Sequence, residues 1–108
     1  MKYYSNDFRK AFMTFYNEAI IAAEHSFIKN YDLSGISVKM WKNEPLQDND
    51  VKNIRNAFQH LLMWSKGFRS DRRRVDNVLW LLDTMDDDCR DFSDYEADII
   101  PTNQNLQQ

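Results

Sequence analysis

Apolar side chains recur at three- and four-residue spacing in three stretches of this chain, and that spacing is the strongest constraint on its fold. The stripes consist of Phe8, Ala11, Phe12, Phe15, Ala19, Ala22 and Ala23, then Val51, Ile54, Phe58, Leu61 and Leu62, then Val75, Val78, Leu79, Leu82 and Met85. A period near 3.6 residues places such side chains on one face of an α-helix. The sequence therefore predicts an all-α fold, a small bundle of three to four helices.

The expected helix boundaries follow from capping residues and from the ends of the stripes. We expect the first helix to run from a cap within residues 5–7 to about residue 30. The second is expected over about 51–65 and the third over about 70–90. A short fourth helix is expected from the spacing of the next apolar residues, Phe92, Tyr95 and Ile99.

The segment 31–50 lacks the helical period and is predicted to be an irregular connection. Ile36, Val38 and Met40 alternate with polar residues, which is typical of a strand. A single strand is not stable alone. The segment is thus an extended loop across the helices, a short irregular helix, or a strand that pairs with a partner. Trp41 is expected to pin it to the core.

A chain of 108 residues is the size of one domain. We expect that domain over 1–100 and a disordered polar tail over 101–108. The lone cysteine, Cys89, fits a reducing compartment. No apolar run approaches the roughly 20 residues that a membrane-spanning helix needs, and the N-terminus has no hydrophobic signal segment. We expect a cytoplasmic protein, in the host cytoplasm if it is viral, with no membrane partner.

Charge is segregated along the chain: eight of the sixteen residues from Asp83 to Asp98 are acidic. Such crowding of like charges is repulsive, and a fold does not require it. We therefore expect a partner to bind through the negative electrostatic field that these residues create. Tryptophans and tyrosines that prove exposed, Trp41 among them, are the candidate anchors. The predicted partner-binding residues are Asp83, Asp86, Asp87, Asp88, Asp91, Asp94, Tyr95, Glu96, Asp98 and Trp41.

These features favour a non-enzymatic module that binds a protein or ribonucleoprotein through the partner's basic surface. Small, acidic, aromatic-rich, glycine-poor chains look like phage or mobile-element proteins that occupy the nucleic-acid-binding groove of a host enzyme. A net charge of −3 argues against nucleic acid as the main partner. One local exception is a candidate phosphate site at a helix N-terminus, formed by Arg69, Arg72, Arg73 and Arg74.

The sequence indicates no metal site and no cofactor. Asp83 with Asp87, and Asp87 with Asp91, share a helix face, but no alternating ligands surround a glycine turn as in a calcium loop. No His or Cys stands at zinc-ligand spacing from them. Gly35 and Gly67 are the only glycines, which excludes nucleotide-binding loops that depend on glycine.

The segment from Arg55 to His60, Arg-Asn-Ala-Phe-Gln-His, resembles the Arg-Asn-x-x-x-His signature of HEPN domains. The resemblance covers this motif and the all-helical expectation, and the two leucines after the His depart from the common family pattern. It implies a dimeric ribonuclease of toxin or antiviral type, in which Arg and His of two protomers meet in a cleft. The imidazole of His60 would then act as acid–base and the guanidinium of Arg55 would hold the phosphate. Arg55, Asn56 and His60 are the alternative catalytic residues.

A third interpretation is a structural subunit of a helical assembly, which would use the broad face of the first helix and the strand at 36–41. The three interpretations need different surfaces. The ribonuclease needs Arg55 and His60 in one exposed cleft, the inhibitor needs a continuous acidic surface, and the subunit needs an exposed apolar patch. A homodimer is compatible with each of them.

Overall fold

The structure is a computed structural model that describes residues 2–88 and 90–91, with the side chains of residues 3–85. In this range the chain is an all-α globule with six helices, four of them longer than six residues. They are α1 (Asn6–Ile21), α2 (His25–Asn30), α3 (Leu33–Lys42), α4 (Asp48–Trp64), α5 (Lys66–Arg69) and α6 (Arg72–Asp88). None of these helices is long and apolar enough to cross a membrane.

Two short strands bring together the ends of the described chain. β1 (Lys2–Tyr3) pairs antiparallel with β2 (Arg90–Asp91), so that Lys2 lies opposite Asp91. The predicted fourth helix at Phe92–Ile99 and the predicted tail at 101–108 lie outside the described residues.

α1 is the central helix, and its core face is mostly aromatic. Phe8, Phe12 and Phe15 are fully buried, and the ring of Phe15 meets that of Phe58 on α4 edge-on, with centroids 5.0 Å apart. The predicted first cap is confirmed at Ser5, whose hydroxyl accepts a hydrogen bond from the backbone N–H of Phe8 at 3.1 Å. Aromatic side chains bury a large area each, which helps so short a chain build a core.

α3 and α6 lie on different sides of α1. The Arg9 guanidinium donates to the Met40 carbonyl on α3 at 3.2 Å, and the Asn77 amide on α6 donates to the Ala11 carbonyl at 3.2 Å. Two residues along a helix amount to a rotation of about 200°, so Arg9 and Ala11 point almost opposite ways. The outward surfaces of α3 and α6 are therefore separated by α1.

The first helix ends at Ile21, nine residues before the predicted end. Ala23 adopts the left-handed conformation, with φ of 59°, and the N–H of Glu24 bonds to the Ala19 carbonyl at 3.0 Å. This is the 6→1 bond of a Schellman motif, whose left-handed position is usually glycine. Because alanine stands there, the sequence gives no stop signal. Ala22 and Ala23 are exposed rather than part of the core stripe.

Residues 36–40 belong to α3, so of the three conformations predicted for the segment 31–50 the extended loop and the strand are wrong, and the helix is regular rather than irregular. The buried residues are Leu33, Ile36, Ser37 and Met40, a spacing of three, one and three that fits a helix and not an alternating strand. Ser37 tolerates burial because its hydroxyl donates to the Ser34 carbonyl at 2.7 Å. Residues 36–41 therefore offer no edge strand to a helical assembly.

The connection from α3 to α4 is held by Leu46 and Asp50. Leu46 is buried, and the Asp50 carboxylate accepts from the Gln47 N–H at 3.0 Å and from the Lys39 ammonium at 2.7 Å. Gln47 is the N-cap residue of α4, and Asp50 caps the helix from inside its first turn. The expectation that Trp41 pins this segment is wrong, because Trp41 is 75% exposed.

A buried ion pair joins α6 to the turn after α1. The Arg74 side chain is only 8% exposed, and its two terminal nitrogens donate to the two carboxylate oxygens of Glu24, each at 3.1 Å. The guanidinium carbon also lies 4.9 Å above the centre of the Phe68 ring on α5. Glu18 lies 3.9 Å from the Arg74 Nε and pairs with the exposed Arg73. One cation thus ties three elements together.

The same contacts set the rotation of α6, which differs from the prediction. Leu81 is fully buried, whereas Leu79 is 45% exposed, so the prediction that Leu79 is core is wrong and that for Phe58 is confirmed. The apolar stripe of α6 is compatible with either rotation. The buried Arg74 and the Asn77 bond to α1 select the one that leaves Leu79 outside.

Two leucine-to-alanine variants of α6, one at a buried position and one at an exposed position, test this rotation. Leu81→Ala should lower the free energy of unfolding by about 2–5 kcal/mol, as for a fully buried leucine. Leu79→Ala should cost less than about 1 kcal/mol, since it removes a half-exposed side chain. Urea denaturation followed by far-ultraviolet circular dichroism measures both, and a larger loss for Leu79→Ala than for Leu81→Ala would show that the helix faces the other way.

The ion pair can be tested on two adjacent arginines. Arg74→Ala should destabilise the fold by roughly 3–5 kcal/mol, because it leaves the Glu24 carboxylate partly buried without its partner. Arg73, whose side chain is 70% exposed, should tolerate alanine with a much smaller loss, because surface ion pairs contribute little. Urea titrations of both variants would contradict the assignment if Arg73→Ala proved the more damaging change.

Candidate functional site

α6 carries an outward face on which two apolar side chains lie between two acidic ones. Asp76, Leu79, Trp80 and Asp83 are all exposed, and their spacing of three, one and three puts them on one side of the helix. The Trp80 indole lies 6.4 Å from the Phe8 ring, centroid to centroid, so α1 supports it from beneath. We refer to these four residues as the α6 outer face.

The predicted acidic residues that come first in the chain belong to α6, the helix that carries this face. Asp83 is part of it, and Asp86, Asp87 and Asp88 continue α6 to its end. The β1–β2 pair then holds Asp91 opposite Lys2. Asp94, Tyr95, Glu96 and Asp98 lie outside the described residues, so a continuous acidic surface stays a prediction.

All three tryptophans of the chain are on the surface. Trp41 is 75% exposed, Trp64 is 73% exposed and Trp80 is 43% exposed. They lie on three different helices, α3, α4 and α6, respectively. Large exposed indoles are typical anchors of binding interfaces. Composition alone indicated such anchors but could not say which indoles were exposed.

The predicted phosphate-binding arginines do not act as one group. Arg74 is buried against Glu24, and Arg73 pairs with Glu18. Arg69 donates to the Met63 carbonyl at 3.3 Å. Arg72 is exposed, with its Nε 3.7 Å from the Asp76 carboxylate. The prediction of a phosphate site now concerns only the three exposed arginines.

The HEPN-like motif lies on α4, as predicted. Asn56 and His60 are exposed and Arg55 is half-buried. Five residues along a helix amount to a rotation of about 140°, so Arg55 and His60 diverge within one chain. His60 instead faces α2, with its ring centroid 5.7 Å from Phe27 and 5.8 Å from Tyr31. The motif pattern contained no signal for this aromatic cluster.

Two open grooves flank α1 on the α3 side. One, of about 470 Å³, lies among α1, α2 and α3 and includes Tyr16 and Ser34, whose hydroxyl oxygens are 3.0 Å apart. The other, of about 540 Å³, lies between α1 and α3 beside Trp41. Within the part of the chain that the structure describes, no three His, Cys, Asp or Glu side chains converge as metal ligands.

Comparisons of this chain with protein-family models, with curated proteins and with solved structures return no match. The chain is thus a compact all-helical domain with no family identified.

The ribonuclease interpretation has a direct test. We expect purified wild-type protein not to cleave single-stranded RNA, because the His60 ring packs against Phe27 and Tyr31. Cleavage without added metal that is lost in both Arg55→Ala and His60→Ala, but kept in Gln59→Ala, would reverse this expectation. Melting curves must accompany the assay, since His60 also packs on α2, and aromatic contacts of this kind are worth about 0.5–1.5 kcal/mol.

Proposed function

We propose that this protein is a small acidic binding module that docks its α6 outer face on a basic surface of a nucleic-acid enzyme or ribonucleoprotein. The observation that carries the proposal is the exposure of Leu79 and Trp80 between Asp76 and Asp83. Trp80 rests on the Phe8 ring, yet 43% of it and 45% of Leu79 stay exposed in the middle of a helix that packs on the core.

The composition of the face suits such a partner. A tryptophan near the centre of a contact supplies most of the binding energy when it is desolvated, and a polar rim excludes water around it. Carboxylates at the rim attract a basic surface over a distance and raise the association rate. Asp83 and the aspartates at the end of α6 would supply that attraction, and Trp80 would hold the complex once formed.

The face is also rigid, which favours affinity. α6 is tied to the α1 turn by Arg74 and Glu24, and to α1 itself by the bond from Asn77 to Ala11. A helix held in this way loses little conformational entropy when a partner binds. The backbone that carries the anchors is therefore fixed before a partner binds.

An acidic, aromatic face of this kind could occupy a groove that normally receives nucleic acid. That is how phage and mobile-element inhibitors of similar composition act, and we propose the same role here, in the cytoplasm of the host cell. The carboxylates would stand in for phosphates and the indole for a base. This part of the proposal rests on chemical analogy between the face and a nucleic acid strand.

The experiment begins with capture of partners from a host lysate at low and at high salt, followed by kinetics on the captured protein. Changing Asp86, Asp87 and Asp88 together to Asn should slow association several-fold and reduce its salt dependence. Trp80→Ala should mainly raise the dissociation rate, because it removes an anchor and not a charge.

Matched controls separate a local effect from net charge. Asp7→Asn, Glu44→Gln and Asp48→Asn together remove the same charge from exposed positions off α6 and should leave association nearly unchanged. Trp64→Ala removes an equally large indole from α4 and should leave dissociation unchanged. If the α6 variants and their controls behave alike, the α6 outer face is not the interface.

A further inference from the structure

The larger groove, between α1 and α3, has a chemistry unlike that of the α6 outer face. It is open, has a volume of about 540 Å³, and is lined among others by Asn6, Arg9, Lys10, Met13, Asn17 and Trp41. None of its lining side chains is acidic, in a protein with a net charge of −3. We propose that this groove binds a nucleotide, either free or as a unit of single-stranded nucleic acid.

Trp41 supplies the platform for a base. It stands in the last turn of α3 and is 75% exposed, the most exposed of the three tryptophans. Met40, its neighbour in the chain, is buried and fixes the position of that turn. An indole held at the edge of a groove offers its face to a base of any sequence, since every base has a π-face for stacking.

Arg9 and Lys10 supply the positive charge for a phosphate. The Arg9 guanidinium is held in place by the Met40 carbonyl and by the Asn6 side-chain oxygen, both at 3.2 Å. Its Nε is buried without a hydrogen-bond partner, and burial lowers the pKa of Arg9 because desolvation disfavours its charge. A phosphate beside it would offset that desolvation, and the exposed Lys10 is free to approach the same anion.

Polar side chains complete the groove. Asn6 and Asn17 carry amides that both donate and accept, as the edge of a base requires. They are eleven residues apart on α1, which corresponds to about 16 Å along the helix axis. The volume is within the range of small-ligand sites, about 300–1,000 Å³. A volume of about 540 Å³ is sufficient for one nucleotide, and the length of the groove leaves room for a neighbouring unit of a strand.

The overall negative charge does not conflict with this site. Nonspecific binding to a nucleic acid backbone depends on many phosphate contacts, which a chain of net charge −3 does not favour. A groove that holds one or two nucleotides by stacking needs only local positive charge. Since α1 separates α3 from α6, the acidic face of α6 lies on another side of the molecule.

The test uses the full chain and three probes measured by calorimetry and by amide chemical shifts. The probes are adenosine 5′-monophosphate, a short single strand of deoxythymidylate, and a poly-glutamate peptide. We expect binding of the first or second probe with shifts at Asn6, Thr14 and Trp41, and weaker binding of adenosine without its phosphate. Preference for the mononucleotide indicates a free ligand, and preference for the strand indicates nucleic acid.

Two pairs of variants locate the site. Trp41→Ala and Lys10→Glu should each weaken binding by about tenfold, in line with the loss of one stacking or one phosphate contact. Trp64→Ala and Lys52→Glu change equally exposed side chains outside the groove and should leave affinity unchanged. All four positions are exposed, so circular dichroism should show intact folds.

Three results would overturn the proposal. They are no binding of either nucleotide probe by the wild type, equal loss of affinity in the groove variants and their controls, and binding of poly-glutamate in place of nucleotides. The last result would mark the groove as a site for acidic peptides. None of these outcomes bears on the α6 outer face, because Trp80 and Asp83 are unchanged in every variant of this test.

Discussion

The ion pair between Arg74 and Glu24 is the contact on which the remaining structure depends. It joins residues that are fifty positions apart and brings the turn after α1, the Phe68 ring of α5 and the first turn of α6 to one point. Because Arg74 points inward, α6 has only one rotation that keeps its other contacts. That rotation puts Leu81 in the core and leaves Leu79 and Trp80 outside. The proposed interface is therefore a consequence of a buried charge.

Helices with strong apolar stripes were predictable from the sequence, and their ends and rotations were less so. The stripe around Phe58 is sufficient to define α4 and its buried face. The end of α1 was missed because Ala23 occupies a position where glycine is the usual signal. A helix was only one of three conformations left open for the α3 segment, because Ser37 is buried and Val38 is exposed, against their polarity. In each case tertiary contacts overrode local preference.

Of the two candidate surfaces, one was likewise indicated by the sequence and the other was not. Acidic segregation and an abundance of aromatic residues were visible in the sequence, and they led to the α6 outer face. The groove beside Trp41 was not predictable, since it requires α1 and α3 to meet, and the sequence left the conformation of the α3 segment open. The two surfaces differ in sign and lie on different sides of α1.

The exposure of all three tryptophans has a practical consequence for spectroscopy. Indoles such as those of Trp41 and Trp64 contact water in the folded protein, and they contact water again in the unfolded chain. Their fluorescence should therefore change little on unfolding, and circular dichroism is the better probe of stability. The same emission should respond strongly when a ligand or partner covers an indole. Because each tryptophan lies on a different helix, variants that retain only one of them would report separately on each part of the surface.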